Sequence, residues 1–553
     1  MALTRIAPPA KRDEAQWAFD DARTPRNGTE QLKQDDDGLH VRQRIIDVYS
    51  KQGFGSIPAD DLRGRMRWWG LYTQRRPGID GGRTATLEPE ELEDEYFMMR
   101  IRIDGAGLTL EQLRTVAGIS QEFARGTADI TDRQNIQLHW VRIEDVPEIW
   151  RRLEAVGLQS QEACGDVPRG FLGSPVAGVA ADEIIDGTPA LREIVDRYIG
   201  NPEFSNLPRK FKTAVSGSPH QDVAHEINDV AFIGVVHPEL GPGFDLWVGG
   251  ALSTNPMLSK RLGTFVTLEQ IPEVWAGVAG IFRDYGYRRL RNRARLKFLL
   301  ADWGTELFRE VLEGEYLGYA LPDGPEPPPP PTGRRDHVGV HPQKDGRFYV
   351  GMAPAVGRMS GDLLASIADL AEAAGSDRLR PTVEQKLIVL DVEPDKVDAL
   401  VEGLEDLGLA VRSASTFRRG TIACTGIEFC KLAIVETKDR ATKLFLELED
   451  RLPTFDQPIR INVNGCPNSC ARIQTADIGL KGVLAGDEEG YQVHLGGGLG
   501  LTSGLGHSLR GLRVPSSELP DYVERVIRHY DEQRVDGELF AQWVQRAAEE
   551  DLR

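Results

Sequence analysis

Four of the five cysteines stand in two close pairs. Cys424-Thr-Gly-Ile-Glu-Phe-Cys430 is a C-x5-C and Cys466-Pro-Asn-Ser-Cys470 a C-x3-C. Four thiolates on two loops can hold a tetrahedral Zn²⁺ or an iron–sulfur cluster. Structural zinc sites favour tighter knuckles in both pairs, so the longer spacing leans toward a cluster. Gly465 before Cys466 and Pro467 suits one too, because a glycine lets backbone N–H groups approach anionic sulfur. Zinc and unrelated buried thiols are the competing readings. Five cysteines in 553 residues are no disulfide framework, and the pattern reads as a reduced intracellular protein.

A second chemistry is cationic. The run Leu207-Pro-Arg209-Lys210-Phe-Lys212 leads toward a glycine-containing turn, and Lys210 and Lys212 alternate as if on one face of a strand. Like charges there repel unless an anion lies between them; a solvated strand face is the plain alternative. Arg169 is a further cation of this part of the chain. The whole chain is acidic, with net charge −19, which argues against nucleic acid as a partner. No apolar run is long enough for a membrane span, and the first twenty residues lack the apolar core of a secretory signal.

The elements that must position these residues are written twice. The proline-rich run Pro325 to Pro331 reads as an extended spacer. Val215 to Val235 before it aligns without a gap with Val463 to Val483 after it, matching Gly217 to Gly465, Pro219 to Pro467, Asp229 to Asp477 and Gly234 to Gly482. Thr131 to Val141 parallels Thr382 to Val392, and Trp247 to Ser253 parallels His494 to Gly500, in the same order. Three ordered windows indicate internal duplication. Alternation marks strands over 96–103, 136–143, 209–216 and 458–464, and helical spacing marks 110–123. The fold expected is α+β: two pseudo-symmetric halves, each with a smaller βαβ-type lobe and a larger lobe. The divisions expected are an irregular N-terminal arm over 1–60, lobes over 61–160 and 161–324, a linker over 325–335, and lobes over 336–415 and 416–553. In this alignment Cys466 and Cys470 fall on Ser218 and Asp222, Cys424 on Cys164 and Cys430 on Gly170. One half would keep the metal site and the other lose three of its ligands.

These residues resemble the nitrite/sulfite reductase family that carries sirohaem and a [4Fe–4S] cluster. The resemblance runs from about Arg65 to Tyr530 and rests on the C-x5-C and Asn-Gly-Cys466-Pro-Asn-Ser-Cys470 pair, on Thr131 to His139 and on Leu207 to Lys212. It implies ferredoxin-like smaller lobes, larger α/β lobes, and cofactors at the interface between the halves. It implies that Cys424, Cys430, Cys466 and Cys470 hold the cluster, and that Cys470 bridges to the sirohaem. Arg100, Arg169, Lys210 and Lys212 match positions facing the substrate. Arg133, Gln137, Arg209 and Asn468 match positions contacting the sirohaem. Tyr72, in Arg67-Trp-Trp-Gly-Leu-Tyr72-Thr-Gln-Arg75, resembles the tyrosine that some sulfite-reducing members join to a cysteine, here Cys164, as a thioether.

The reaction implied is six-electron reduction of sulfite to sulfide, with nitrite as the alternative substrate. No flavin or nicotinamide fingerprint is present, so a separate ferredoxin is the expected donor and the cytoplasm the expected compartment. A zinc-stabilised scaffold without turnover, and a sirohaem-making enzyme, are the readings from other classes. The glycine-rich Gly496 to Gly500 lacks dinucleotide-loop spacing and reads as a tight turn near the cluster lobe. The basic run Arg288 to Lys297 reads as a contact for sirohaem carboxylates or ferredoxin, or as a solvated face. His341 to Lys344 reads as either a cofactor segment or a surface loop. His139 reads as a packed core histidine.

Overall fold

The computed structural model describes residues 27–105, 107–331 and 335–553. Its framework is four five-stranded sheets. The first runs Leu71–Arg75, Glu93–Ile101, Ile136–Val141, Thr127–Ile130 and Arg358–Ser360, all antiparallel neighbours. Its counterpart runs Gly339–Pro342, Phe348–Met352, Leu387–Val392, Arg378–Pro381 and Leu108–Thr109. The last strand of each sheet comes from the other half of the chain. The helix Leu110–Phe123 lies against Gly361–Ala373, and one apolar core spans both sheets. Leu110, Leu113, Val116 and Ala117 supply the buried stripe of the first helix, and a reciprocal Thr109–Gln112 capping pair starts it.

The larger lobes also share one topology. Pro168–Gly173, Phe211–Ser216 and Val230–His237 pair in parallel, and Gly241–Val248 and Lys260–Val266 extend the sheet antiparallel. Thr421–Ala423, Ile461–Asn464, Ile478–Ala485, Glu488–Leu495 and His507–Pro515 repeat that order. Phe211–Ser216 is buried along its whole length, as a central parallel strand must be when both faces are covered.

The duplication extends to single hydrogen bonds. Gln134 and Gln385 both take left-handed backbone, and each brackets one residue of a neighbouring strand: Gly173 for Gln134 (2.9 and 3.0 Å), Ala423 for Gln385 (2.8 and 3.0 Å). Ile184 N–H donates to Gly217 O at 2.9 Å as Ile434 N–H does to Gly465 O at 2.8 Å. These bonds correct the alignment expected above. Gly173 stands where Ala423 does, so the partner of Cys424 is Ser174, not Cys164. Counting between the two matched bonds puts Ala180, not Gly170, at the place of Cys430. The first half therefore carries Ser174, Ala180, Ser218 and Asp222 where the second carries four cysteines. Matching cysteine with cysteine misled the sequence comparison; strand register decides it. Asp222 there is fully buried among Ser174 (2.8 Å), Ser216 (2.9 Å) and His337 (3.1 Å), a satisfied polar knot.

Other expectations also shift. The segment read as an irregular arm is helical from Gly28–Asp35 onward, and residues 1–26 lie outside the described part. Lys33 on that helix is buried beside Glu30 (2.6 Å) and Asp166 (3.3 Å), which docks the segment on the first large lobe. The expected strand over 209–216 begins only at Phe211, because Pro208 and the turn before it occupy the entry. The basic run is not a solvated face. Arg288 is fully buried on Glu30 (3.2 Å), Arg291 pairs with Asp166 (2.6 Å), Arg295 with Asp229 (2.9 Å), and Lys297 donates to the Leu252 carbonyl (3.1 Å). The proline run is not a free spacer either, since Gln221 donates to Pro328 O at 2.9 Å. His341 sits on the edge strand Gly339–Pro342, stacked on Tyr349 at 4.8 Å. His139 is buried and stacked on Phe429 at 3.8 Å. After Leu495, Gly497 turns tightly enough that a Cβ would lie 2.4 Å from Gln474 O.

Candidate active site

Cys424 follows the strand Thr421–Ala423, and Cys466 and Cys470 follow its parallel neighbour Ile461–Asn464. Three of the thiols thus lie beyond the carboxyl ends of adjacent parallel strands, where α/β sheets place their ligands. Cys430 comes from the loop after Cys424. Backbone donors serve the sulfurs. Gly465 N–H lies 3.2 Å from Cys424 Sγ, and the backbone N–H groups of Leu432 and Ala433 favour charge on Cys430, as that of Asn468 does on Cys466, against the stronger effect of burial. A side chain at Gly465 would be tight, since a Cβ would stand 3.0 Å from the Ala433 methyl and 3.3 Å from Val435 O. Burial, and then the neighbouring Cys470, push the thiols of Cys424 and Cys430 up, and that of Cys466 up to about 12.

This set fits an iron–sulfur cluster. Thiols that burial and mutual repulsion keep protonated become thiolates when metal binds, and the N–H donors are placed to stabilise sulfur charge.

On the other side of Cys470 stand the cations. Arg100 Nη1 lies 3.1 Å from Cys164 Sγ, and its Nη2 donates to Gln137 Oε1 at 3.2 Å. Strand pairing fixes this, because Arg100 and Gln137 face each other across Glu93–Ile101 and Ile136–Val141. Arg169 donates to the Tyr72 hydroxyl at 3.1 Å, and the guanidinium of Arg67 lies 5.7 Å from the Tyr72 ring centre. Burial and then Cys164 raise the Tyr72 phenol. Tyr72, Cys164, Arg100 and Arg169 therefore form one cluster, although Cys164 is not the counterpart of Cys424.

Lys210 is half-buried, and its ammonium makes no hydrogen bond or ion pair among the described residues. Burial pushes it well below the ordinary lysine range, and Arg169 and Arg295 push the same way, while Cys470 opposes them. Lys212 differs from the expected pair on one strand face. Only it lies in the strand, it is 8% exposed, and its ammonium donates to the Ile227 carbonyl at 2.8 Å. Burial, then Arg133 and Arg295, push Lys212 down as well.

The residues expected at the macrocycle have these surroundings. Arg133 donates to Asn228 Oδ1 at 2.8 Å, Arg209 donates to the Arg291 carbonyl at 2.7 Å, and Asn468 is exposed beside Cys466 and Cys470. Burial and then Arg291 lower Arg209 to about 10. Convergence of this many cations, several without a carboxylate, suits a ligand rich in carboxylates. Arg295 went unassigned in the sequence. It pairs with Asp229 and acts on Lys210, Lys212 and Arg133, and its only signal was membership of the basic run.

The comparisons with known proteins agree with this geometry. Residues 164–321 and 414–553 match the nitrite and sulphite reductase 4Fe-4S domain, and residues 90–156 and 341–407 match the nitrite/sulfite reductase ferredoxin-like half domain. The chain belongs to the nitrite/sulfite reductase family. Within that family it is 58% identical, over all of both chains, to sulfite reductase [ferredoxin] 1 of Mycolicibacterium paratuberculosis and to sulfite reductase [ferredoxin] of Mycobacterium tuberculosis. It is 36% identical to the assimilatory ferredoxin-dependent nitrite reductase of Haloferax mediterranei, over 93% of this chain and 91% of that one. The solved structure of the Mycobacterium tuberculosis NirA protein superposes with a TM-score of 0.95 at 58% identity, covering 98% of this chain and 100% of the other. The two matched domain types, each present twice, are the duplicated halves described above. None of the described helices is long and apolar enough to cross a membrane.

Proposed function

We propose that this protein is a ferredoxin-dependent sulfite reductase that converts sulfite, six electrons and seven protons into hydrosulfide and three waters. The observation that carries the reading is the unpartnered ammonium of Lys210, set among Arg169, Arg209 and Arg295 and electrostatically coupled to Cys470. Cys424, Cys430, Cys466 and Cys470 hold a [4Fe–4S] cluster. Cys470, with Arg133, Gln137, Arg209 and Asn468, would hold sirohaem. When bound, sirohaem would supply the redox chemistry that takes up electrons one at a time.

The chain supplies position, field and protons. Arg100, Arg169, Lys210 and Lys212 hold the oxyanion and stabilise the charge that grows as each S–O bond breaks. Lys210, depressed toward neutrality by burial and its arginine neighbours, gives a proton to a departing oxygen more readily than an ordinary lysine. Tyr72 and Cys164 are joined as a thioether, two hydrogens short of the separate side chains; Arg100 on Cys164, Arg169 on Tyr72 and the coupling of the phenol to the thiol bring them into one cluster, which supports it. Peptide mass spectrometry reads the joined peptides as two hydrogens lighter than their sum, and a fully alkylatable Cys164 after denaturation refutes the bond. A reducing cytoplasm is the compartment that suits exposed Cys470 and a ferredoxin donor. The test of function is product analysis with reduced ferredoxin or viologen. Sulfide formation from sulfite supports the reading; ammonia from nitrite with no sulfide from sulfite overturns it in favour of nitrite reduction.

A further inference from the structure

The strand Leu71–Arg75 belongs to the first half, yet its last residue is sewn into the Cys430 loop of the second. Arg75 N–H donates to Phe429 O at 2.8 Å. Its guanidinium donates through Nη1 to Ala433 O (3.2 Å), Lys431 O (3.5 Å) and Thr84 Oγ1 (3.0 Å), and through Nη2 to Ile79 O (3.0 Å) and Asp80 O (3.1 Å). The residue is 1% exposed, and its Nε has no acceptor. Every acceptor is a neutral oxygen. The carboxylate that acts on it is that of Asp80, which is exposed and caps Gly82 N–H at 2.7 Å. Lys431, next in sequence to Cys430, is by contrast neutralised by Glu93 at 2.9 Å. Arg75 is thus a buried cation without an ion-pair partner, and Cys430 is the first sulfur whose charge it feels.

The bonds to the loop strengthen that coupling. The Lys431 carbonyl that accepts from Arg75 belongs to the peptide whose N–H, on Leu432, favours charge on the Cys430 sulfur. The two ends of a trans peptide point in opposite directions, so the guanidinium polarises this N–H and strengthens that effect.

We infer that Arg75 is a positioning residue that sets the reduction potential of the cluster through the Cys430 loop. The inference rests on the assignment of the four cysteines to the cluster. Each one-electron reduction by ferredoxin adds one negative charge to the thiolate-bound body, and no atom is transferred. A buried, unpaired cation beside one ligand favours the reduced form and raises the potential.

The test is an EPR-monitored redox titration of the purified holoenzyme, with cluster content measured in parallel. Arg75→Gln lowers the cluster midpoint by a shift equivalent to about tenfold or more in the reduction equilibrium, about 59 mV for a one-electron couple. Arg75→Lys retains most of the charge and shifts it less. Thr84→Asp leaves Arg75 in place and sets a carboxylate against it from a half-buried position, at the cost of the Thr84 hydroxyl bond to Ala433 O at 2.8 Å, and it lowers the midpoint. Full cluster content with an unchanged midpoint in Arg75→Gln overturns the inference. If that variant does not assemble the cluster, an unchanged midpoint in Thr84→Asp overturns it. Absence of a cluster signal in the unaltered protein would instead defeat the assignment of the four cysteines.

Discussion

At the scale of single residues, Lys210 is the side chain whose environment most needs a missing partner. Replacing it with alanine removes one charge-assisted donor, and the expected loss is about 10²–10³ in kcat/KM for sulfite, or ~2.7–4 kcal/mol. Cluster and sirohaem content, read from the visible spectrum, stay near the wild-type level; a proportional loss of cofactor would assign the lysine to assembly. Its depressed pKa carries a second expectation. Burial and Arg169 favour the neutral amine in the free pocket, and a bound anion favours the ammonium. Sulfite binding therefore takes up a proton at a pH between the free and bound values. Calorimetry in buffers of different ionisation enthalpy measures that uptake, and Lys210→Arg abolishes it, since guanidinium stays protonated. The residues at this scale were largely legible, because cysteine pairs and the Arg209 to Lys212 run declare their chemistry by type. The role of Lys212 was less so: its tether to the Ile227 carbonyl depends on a short turn inside the repeated window that carries no chemical signal of its own.

At the scale of elements, the halves complete one another. Arg358–Ser360 closes the first small sheet and Leu108–Thr109 the second. An unpaired sheet edge exposes a row of backbone donors and acceptors, so neither half presents a finished sheet alone. Proteolytic cleavage within 325–335 is therefore expected to leave both fragments together on gel filtration under native conditions. Separation of the fragments would show that the exchanged strands contribute little. The duplication was readable because Gly217 and Gly465 stand at equal places in matching turns. The exchange was not, since strands of two and three residues carry no alternating pattern to detect. Register was also hidden. Only the bonds from Gln134 and Gln385 show that Ser174, rather than Cys164, stands for Cys424.

At the scale of the molecule, buried carboxylates join parts distant in sequence. Burial alone would raise Asp166, but Lys33 and Arg291 outweigh it and hold it well below the usual carboxylate range. Asp129 behaves alike, its burial overcome chiefly by Lys438, which it meets at 3.4 Å from the other half. A carboxyl with a lowered folded pKa contributes stability above the unfolded value, about 3.9, and loses it as pH falls through the folded one. Thermal melts should fall steeply below about pH 4. Asp166→Asn should cost ~3–5 kcal/mol at neutral pH, because Lys33 and Arg291 lose their buried partner, and should flatten the acid limb. An acid limb of unchanged steepness would remove Asp166 from that role. Such pairings were invisible in the sequence, where Asp166 and Lys33 lie on opposite sides of a whole lobe.

The replacement of four cysteines by Ser174, Ala180, Ser218 and Asp222 gives the molecule a direction. A frame with two equal sites would offer an electron two equivalent entrances and no preferred exit. Here one entrance is closed: Asp222 is locked among two serines and His337 and offers no sulfur to a metal. With the cluster held as proposed, only one half of the frame offers sulfur to a metal, and Cys470 of that half is the thiol that acts on Lys210. The symmetry of the scaffold thus survives as architecture, while its loss at four positions leaves the two halves with different work to do.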